Sequence, residues 1–397
     1  MKICGIICEY NPFHNGHKYQ IDESIKAGAT HIVAVMSGNF VQRGDVAIFN
    51  KHVRAQAALE GGADLVIELP APYSIASAEL FAKGAIHILN SLGNVNMLSF
   101  GTECGSINLI ESAAQASEQL TNSDEFKKII ASGISYPSAM HTLIKTKYSK
   151  ETASVFDSPN NVLAIEYVKA LKNSKSEIEP VSIKRNAVAH DSQLLYDEFA
   201  SASMLRKLIL CGESIKKFIP KECYNIFFEE IAAGNYSSIS NLEKVVYYKL
   251  LSMKKSDFDI LPDCKNGLAQ RIIIGAKSTS DFSDLLLHIK TKCFTLSRIR
   301  RIMMYALLGI QKSDFDILPP YGRILALNEK GREILADTKH KATIPFSVSL
   351  SKLSNTSLAA KHFSEIDALS SEIYSLSKLK FCGIDNEYTK KITRRHE

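Results

Sequence analysis

The first hundred residues alternate between short apolar runs and amphipathic stretches, and this alternation constrains the fold more than any other feature. The apolar runs cover residues 2–8, 31–36, 64–69 and 94–100, and helix-like stretches lie near 17–28, 50–61 and 74–90. Apolar runs that are almost continuous are typical of strands covered on both faces, and their alternation with helices indicates a parallel sheet. We therefore predict an α/β fold built on a Rossmann-like parallel sheet.

The turn that follows the first apolar run carries the most informative residues. Residues 10–17 read YNPFHNGH and connect the first strand to the first helix. In an open parallel sheet this turn lies at the carboxyl edge, where ligands bind, and the helix start offers unpaired N–H groups to an anion. Gly16 lets a bulky anion approach the backbone, and His14 and His17 are close enough in sequence to converge on one phosphate.

The two histidines have other interpretations. Either imidazole could simply cap the helix or pack against its neighbours, and the spacing alone leaves capping and phosphate binding open. A His-x-x-His pair could also bind a metal ion, but no third histidine, cysteine or carboxylate is obviously paired with His14 and His17. We therefore predict that the two histidines bind no metal, and we assign no metal-ligating residues.

Three later segments carry polar residues to the same predicted edge. The loop 37–45 (SGNFVQRGD) follows the second strand and could close over a nucleotide or serve only as a surface connection. Lys51 and Arg54 begin the next helix, where they could face the cleft but would more often be solvated surface. Arg185 follows a strand predicted at 178–184, a position suited to binding phosphate or stacking on adenine.

A second polar helix start lies at residues 200–206, which read ASASMLR. Hydroxyls and N–H groups at a helix start, with Arg206 on the first turn, suit a polyphosphate. Serines before a helix usually cap it, so Ser203 has a purely local interpretation as well. We call residues 10–17 the histidine turn. Because this segment follows the histidine turn in the chain, we predict that it forms the second half of the same site.

The pattern changes after residue 206, where helix-like stretches continue without strand alternation. We predict a nucleotide-binding domain over 1–206 and a mainly helical region over 207–397 that ends in a small mixed α/β part. The octapeptide KSDFDILP occurs at 255–262 and again at 312–319, and we interpret both copies as turns that follow helices. A cationic stretch without carboxylates lies between the copies and could contact RNA phosphates or form a solvated face: Lys290, Lys292, Arg298, Arg300 and Arg301.

Net charge, cysteine spacing and the length of the apolar runs indicate which classes of protein are consistent with this sequence. The net charge of +6 at pH 7 fits an anionic partner without requiring one. The eight cysteines form no CxxC pair, which argues against a zinc ribbon. The first residues lack the features of a signal peptide, and no apolar run reaches membrane-spanning length, so we expect a cytoplasmic protein with no membrane partner.

The quoted segments resemble known families. Residues 13–17, FHNGH, resemble the HxGH signature of the nucleotidyltransferase superfamily, which is related to the HIGH motif of class I aminoacyl-tRNA synthetases. Residues 9–17 (EYNPFHNGH) and 36–44 (MSGNFVQRG) together resemble the bacterial tRNA(Met) cytidine acetate ligase family, and the resemblance covers nearly the whole chain. Residues 200–206 resemble the superfamily's ISSTxIR element but depart from it at Ala202 and Leu205.

The resemblance implies a fold, a reaction and a set of residues. It implies an α/β nucleotidyltransferase parallel sheet of the HIGH type followed by a mainly helical region. It also implies an ATP-dependent, AMP-forming ligase that makes acetyl-adenylate from acetate and acetylates N4 of the wobble cytidine of elongator tRNA(Met), with Mg²⁺ assisting. The catalytic residues would be His14 and His17. The implied ATP-binding residues are Ile7, Cys8, Glu9, Tyr10, Asn11, Pro12, Phe13, His14, Asn15, Gly16, His17, Lys18, Gly101, Asn161, Arg185, Ser203 and Arg206, with Asn160 as the alternative to Asn161. The implied tRNA-binding residues are the five cations between 290 and 301.

Two alternatives remain open at this point. One is an adenylyl- or cytidylyltransferase that makes a small cofactor precursor, although the long basic C-terminal region would then be unexplained. The other is a noncatalytic RNA-binding protein that keeps a nucleotide-binding fold. The presence of His14, His17, Ser203 and Arg206 together argues against such a loss of activity.

Overall fold

One large, mainly parallel sheet forms the centre of the protein. The computed structural model describes residues 1–185, 198–265, 267–390 and 393–394, the last pair by backbone alone. Its strands are β1 (Ile3–Cys8), β2 (His31–Ser37), β3 (Phe40–Val41), β4 (Asp45–Val46), β5 (Leu65–Leu69), β6 (Val95–Thr102), β7 (Glu179–Lys184), β8 (Gly322–Leu327), β9 (Phe346–Ser347) and β10 (Thr393–Arg394). The sheet has eight strands in the order β10-β8-β5-β2-β1-β6-β7, with β9 beside β8, and β3 and β4 form a separate hairpin.

Helices cover both faces of the sheet and then form a region of their own. They are α1 (Asn15–Lys26), α2 (Lys51–Glu60), α3 (Ala71–Ser74), α4 (Ala78–Leu92), α5 (Ile107–Thr121), α6 (Asp124–Ala131), α7 (Tyr136–Lys147), α8 (Lys150–Ser154), α9 (Pro159–Asn173), α10 (Ala202–Leu210), α11 (Tyr224–Ala233), α12 (Glu243–Ser252), α13 (Leu268–Ser278), α14 (Phe282–Ile289), α15 (Leu296–Leu308), α16 (Glu329–Thr338), α17 (Leu350–Ser354) and α18 (Leu358–Ser375). None of the helices in the described ranges is both long and apolar enough to cross a membrane.

The apolar runs are buried on both faces, as their composition indicates. Alternate residues of a strand point to opposite faces, so β1 contributes to two separate cores. Ile3 and Ile7 pack with residues of α4 and α9 in one core, and Cys4 and Ile6 pack with residues of α1 and α2 in the other. A third core lies inside the helical region, where α12 to α15 pack together. The predicted α/β class with a following helical region is confirmed.

The C-terminal part of the chain returns to the sheet. Strand β8 pairs antiparallel with β5, while the other pairs in the large sheet are parallel. The division at residue 206 stays a prediction, and the structure adds that β8, β9 and β10 extend the sheet of the first part. The fold therefore depends on residues from both ends of the chain.

The repeated octapeptide forms similar turns in both places. Each copy begins with a 3-10 turn after a helix, and an aspartate closes each turn. Asp257 accepts a hydrogen bond from the N–H of Lys254, and Asp314 accepts one from the N–H of Gln311, both at 2.8 Å. The interpretation of the repeat as a turn that follows a helix is confirmed.

Candidate nucleotide-binding site

The histidine turn forms a cap on helix α1 in which both imidazoles take part. His14 is the N-cap residue, and its Nδ1 accepts a hydrogen bond from the N–H of Gly16 at 3.0 Å. The Nδ1 of His17 accepts one from the N–H of His14 at 3.3 Å. The two rings stack with their centroids 3.7 Å apart. The capping interpretation and the functional one are thus compatible, because each cap uses only one ring nitrogen.

These hydrogen bonds determine which nitrogen of each histidine carries the proton. A neutral imidazole that accepts at Nδ1 is protonated at Nε2, so both rings present an Nε2–H donor. Burial, with a further contribution from the Arg185 guanidinium, lowers the pKa of His14 to about 3. Burial, His14 and Arg185 lower the pKa of His17 well below its usual range. The pair therefore offers two neutral donors at pH 7.

The second polar helix start meets the first. Arg206, on α10, donates from Nη1 to the backbone oxygen of Asn11 at 2.8 Å. The amide of Asn15 donates to the backbone oxygen of Glu198, which precedes α10, at 2.9 Å. Ser201 is the N-cap of α10, and its hydroxyl lies 3.0 Å from the hydroxyl of Ser203. The structure thus places a helix N-terminus and an arginine beside the histidine turn.

Gly101 and Arg185 join the same edge from β6 and β7. These strands are paired so that Gly101 lies opposite Ile183. A Cβ atom at Gly101 would lie 3.0 Å from Cγ of Arg185, so the arginine side chain covers the glycine. Arg185 therefore lies at the edge that carries the histidines, and its charge contributes to the lowered pKa of both. A guanidinium in this position can bind phosphate or stack on a base.

Asn161 has a structural use in addition to its predicted contact with ATP. It is buried, and its Oδ1 accepts hydrogen bonds from the N–H groups of Glu103 and Cys104, at 2.9 and 3.3 Å. Asn160 donates to the carboxylate of Glu103 at 2.5 Å. Both asparagines therefore position the loop that follows β6, and the assignment of Asn161 to ATP stays a prediction.

Several side chains of the histidine turn face the protein and not the cleft. Tyr10 and Phe13 are buried and touch edge to face, with centroids 4.8 Å apart. Asn11 accepts a hydrogen bond from the N–H of Ile48 at 2.7 Å, and Lys18 pairs with Asp22. Besides His14, the buried members of the predicted ATP-binding set from β1 and this turn are Ile7, Cys8, Tyr10, Asn11, Pro12 and Phe13. Their side chains shape the turn, which leaves the backbone and the imidazoles for a ligand.

Lys51 and Arg54, at the start of α2, are buried. The prediction that they lie in the cleft or on the solvated surface is wrong. The Arg54 guanidinium donates to the backbone oxygens of Phe49, Ser37 and Glu9, at 3.0, 3.1 and 2.5 Å, and also to that of Gly38. Lys51 pairs with Glu68 at 2.7 Å. Arg54 therefore fixes the backbone of the loops after β1 and β2.

The cations of the stretch between residues 290 and 301 lie in different environments. Lys290 and Lys292 are exposed and precede α15. Arg298 bends back to donate to the backbone oxygen of Asp263, at 2.6 Å from Nη2. Arg300 pairs with Asp45, from the hairpin after β2, at 3.7 Å. The stretch thus has an exposed end and an end that lies against the hairpin of β3 and β4.

Comparison with known proteins agrees with this geometry. The family model described as HIGH Nucleotidyl Transferase matches residues 1–387. The tRNA(Met) cytidine acetate ligase of Acetivibrio thermocellus is 37% identical over 392 residues, covering 94% of each chain. That of Clostridium novyi is 36% identical over 388 residues, covering 95% of each chain. The crystal structure of Thermotoga maritima TmcAL bound with alpha-thio ATP superimposes with a TM-score of 0.91 at 28% identity, covering 100% of both chains. The chain therefore belongs to the tRNA(Met) cytidine acetate ligase family of HIGH nucleotidyltransferases.

Proposed function

We propose that this protein uses ATP to activate acetate and then acetylates N4 of the wobble cytidine of elongator tRNA(Met). The observation that carries the proposal is the pair of Nε2–H donors of His14 and His17, which lie beside Arg206 at the carboxyl edge of the sheet. Family membership supplies the substrates, because the relatives are tRNA(Met) cytidine acetate ligases. The solved relative binds alpha-thio ATP, which supports ATP as the nucleotide.

The first step is an in-line displacement at the α-phosphorus of ATP. A carboxylate oxygen of acetate forms a bond to this phosphorus, the bond to the bridging oxygen of the β-phosphate breaks, and pyrophosphate leaves. Charge accumulates on the phosphoryl oxygens in the transition state, and prepositioned donors stabilise it without reorganising. His14 and His17 supply two such donors. Arg206 and the start of α10, with Ser203, hold the departing phosphates.

The second step transfers the acetyl group. The N4 amine of the cytidine attacks the carbonyl carbon of acetyl-adenylate, the bond from that carbon to the AMP oxygen breaks, and the amine loses a proton. The cytidine must leave the stack of the anticodon loop to reach this bond, and single-stranded loops are where proteins commonly read RNA bases. Because the substrate is a tRNA, we place the reaction in the cytoplasm.

A magnesium ion fits the site as a companion of the phosphates. Mg²⁺ is usually held by one or two carboxylates together with substrate phosphates and water. The substrate phosphates and water would hold most of its coordination, and Asp45, the half-buried carboxylate that pairs with Arg300, would be the protein group available to it. In the described ranges no three ligating side chains form a cluster for a metal ion. The ion would neutralise charge on the leaving pyrophosphate.

Acetate-dependent exchange of label between pyrophosphate and ATP tests the proposed function directly. The first step is reversible in the enzyme, so we expect exchange that requires acetate and occurs without tRNA. With elongator tRNA(Met) added, N4-acetylcytidine should form at the wobble position with AMP as coproduct. Exchange that does not require acetate but requires a small phosphate ester would contradict the proposal. It would favour a nucleotidyltransferase that makes a small cofactor precursor.

The exposed end of the cationic stretch is proposed to bind the anticodon arm. We expect the double variant Lys290→Glu/Lys292→Glu to bind tRNA at least about tenfold more weakly, because each reversal removes an attraction to phosphate and adds a repulsion. The affinity of the variant should also fall less steeply as salt is raised. Filter binding over a series of salt concentrations measures both quantities.

A matched control separates this effect from net charge. Lys339, which follows α16, and Lys352, on α17, are exposed and lie far along the chain from the stretch. The variant Lys339→Glu/Lys352→Glu makes the same change of charge as Lys290→Glu/Lys292→Glu. It should change tRNA affinity by less than about twofold, and neither variant should alter acetate-dependent exchange. Unchanged tRNA affinity in Lys290→Glu/Lys292→Glu would remove these two lysines from the proposed RNA-binding surface.

A further inference from the structure

The helical region touches the nucleotide-binding domain at the hairpin formed by β3 and β4. Gly44, in the turn of this hairpin, has a φ of 70° and lies directly against α15. A Cβ atom at Gly44 would lie 2.4 Å from the backbone nitrogen of Arg301 and 2.6 Å from the carbonyl carbon of Arg300. No side chain fits between these backbones, so α15 is held at a fixed distance from the hairpin.

This contact brings Arg300 to the catalytic edge. Its Nη1 lies 3.7 Å from Oδ2 of Asp45, which is too long for a strong hydrogen bond. Its Nε is buried and has no hydrogen-bond partner in the part of the chain that the structure describes. The side chain is only 32% accessible. A partly accessible guanidinium whose ion pair with Asp45 is this long is suited to bind an anion through its remaining N–H groups.

Two more arginines belong to the same cluster. Arg206 reaches the histidine turn through the backbone oxygen of Asn11, and Arg43 is at the exposed tip of the hairpin beside Gly44. Burial lowers the pKa of Arg206, the charges of Arg43 and Arg300 lower it further, and those of Asp45 and Glu9 oppose this shift. The packing of Gly44 on α15 and the Arg300–Asp45 pair bring Arg300 beside the hairpin that carries Arg43, and the electrostatic effects on Arg206 agree with a position near both.

Within the described ranges, the carboxylates near the cluster carry less charge than its arginines. Glu9 already accepts a hydrogen bond from the N–H of Gln42 at 2.8 Å, and Asp45 accepts one from the N–H of Val46 at 2.9 Å. In the part of the chain that the structure describes, the three guanidinium groups thus have two carboxylates near them, and both carboxylates also accept backbone hydrogen bonds. An added anion of high charge would balance the cluster, and guanidinium groups bind phosphates with paired hydrogen bonds.

We infer that Arg300, Arg43 and Arg206 together bind the β- and γ-phosphates of ATP and retain them as pyrophosphate after the first step. This inference rests on the proposed function and extends it to a residue of the helical region. The cluster adjoins the histidine turn. The β- and γ-phosphates bound by the cluster would therefore lie next to an α-phosphate bound by the two imidazoles. Nearness to that turn and the enclosure of Arg300 favour a nucleotide phosphate over an RNA backbone phosphate. The ATP site is therefore completed by α15.

Pyrophosphate dependence of acetate-dependent exchange, measured without tRNA, tests the inference. We expect Arg300→Ala to raise the KM for pyrophosphate about tenfold or more, because it removes a charge-assisted contact. Arg300→Lys keeps the charge without the fork of donors and should give an intermediate KM. Arg43→Ala should act in the same direction. Arg332→Ala, which replaces an exposed arginine of α16 that pairs with Glu329, is the matched control and should leave the KM unchanged.

The possible results distinguish a failure of this inference from a failure of the proposed function. A raised KM for pyrophosphate in Arg300→Ala and Arg300→Lys, with thermal unfolding and tRNA affinity as in the wild type, supports the inference. An unchanged KM in Arg300→Lys and Arg300→Ala overturns it, and so does a loss of tRNA affinity with an unchanged KM, which would assign Arg300 to RNA. If the wild-type enzyme itself gives no acetate-dependent exchange, the proposed function fails first, and that result is visible before any variant is compared.

Discussion

The variant His14→Asn is expected to lower the rate of acetate-dependent ATP–pyrophosphate exchange by about 10²–10³-fold, the usual loss when one prepositioned donor to a developing oxyanion is removed. Asparagine is a good N-cap residue, so the hydrogen bond to the N–H of Gly16 can be kept while the Nε2–H donor is lost. The measurement is kcat for exchange at saturating ATP and acetate, beside the unfolding free energy of the same protein.

A companion variant separates catalysis from capping. His14→Ala loses both the donor and the cap, so its activity should match that of His14→Asn while its stability falls by a further ~1 kcal/mol. His17→Ala should lose a similar factor in rate, and the double variant should lose less than the product of the two, since both act on one transition state. Exchange within about threefold of wild type in His14→Asn would show that Nε2–H of His14 contributes no catalytic donor.

The sheet and the histidine pair could be predicted because their signals are local. The first three runs, at 2–8, 31–36 and 64–69, match β1, β2 and β5 to within a residue at each end, since strands buried on both faces leave a continuous apolar run. The helix start after β1 was also visible, because glycine and capping residues follow the strand directly. Sequence order alone then placed the turn at the ligand-binding edge of the sheet.

The features that were missed depend on contacts between distant parts of the chain. Strand β8 joins β5 across more than half of the sequence, and nothing in residues 322–327 by themselves names a partner. The sequence predicts Lys51 and Arg54 at the surface or in the cleft, because cations are rarely buried without partners. Their partners, loop carbonyls and acids distant in the sequence, are visible only in the fold. Arg300 reaches the ATP site only through the packing of α15 on Gly44, which spacing cannot reveal.

Lys51 belongs to a buried ion network that joins the two ends of the chain. The Lys51 ammonium lies 2.7 Å from Glu68, and the Arg323 guanidinium lies 2.5 Å from Glu387, with longer cross-contacts of 3.3 and 3.4 Å between the pairs. All four side chains are at most 2% accessible. Glu68 also touches the backbone at Gly38, where a Cβ would lie 2.8 Å from its Oε1. The network therefore packs against the loop after β2 through Glu68.

The pKa of Glu387 shows how strongly this network depends on its charges. Burial alone would raise the pKa of this carboxyl, but Lys51, His52 and Arg323 lower it well below its usual range. A carboxyl whose pKa is lower in the folded state than in the unfolded state stabilises the fold at neutral pH, and this contribution is lost as the pH falls through the acid range. Neutralising Glu387 by mutation should remove the same contribution at pH 7.

We therefore expect Glu387→Gln to lower the free energy of unfolding by about 3–5 kcal/mol, because it leaves the Lys51 and Arg323 cations with Glu68 as their remaining acid in the network. Denaturant unfolding at pH 7 measures the loss. Glu333→Gln, at a carboxylate that is 64% accessible and pairs with His31, is the matched control and should cost less than ~1 kcal/mol. Adding Arg323→Met to Glu387→Gln restores the balance of charge, so the double variant should be less destabilised than the sum of the two single changes. A loss below ~1 kcal/mol in Glu387→Gln would mean that the buried cations do not depend on this acid, and the C-terminal segment would then be held by its packing alone.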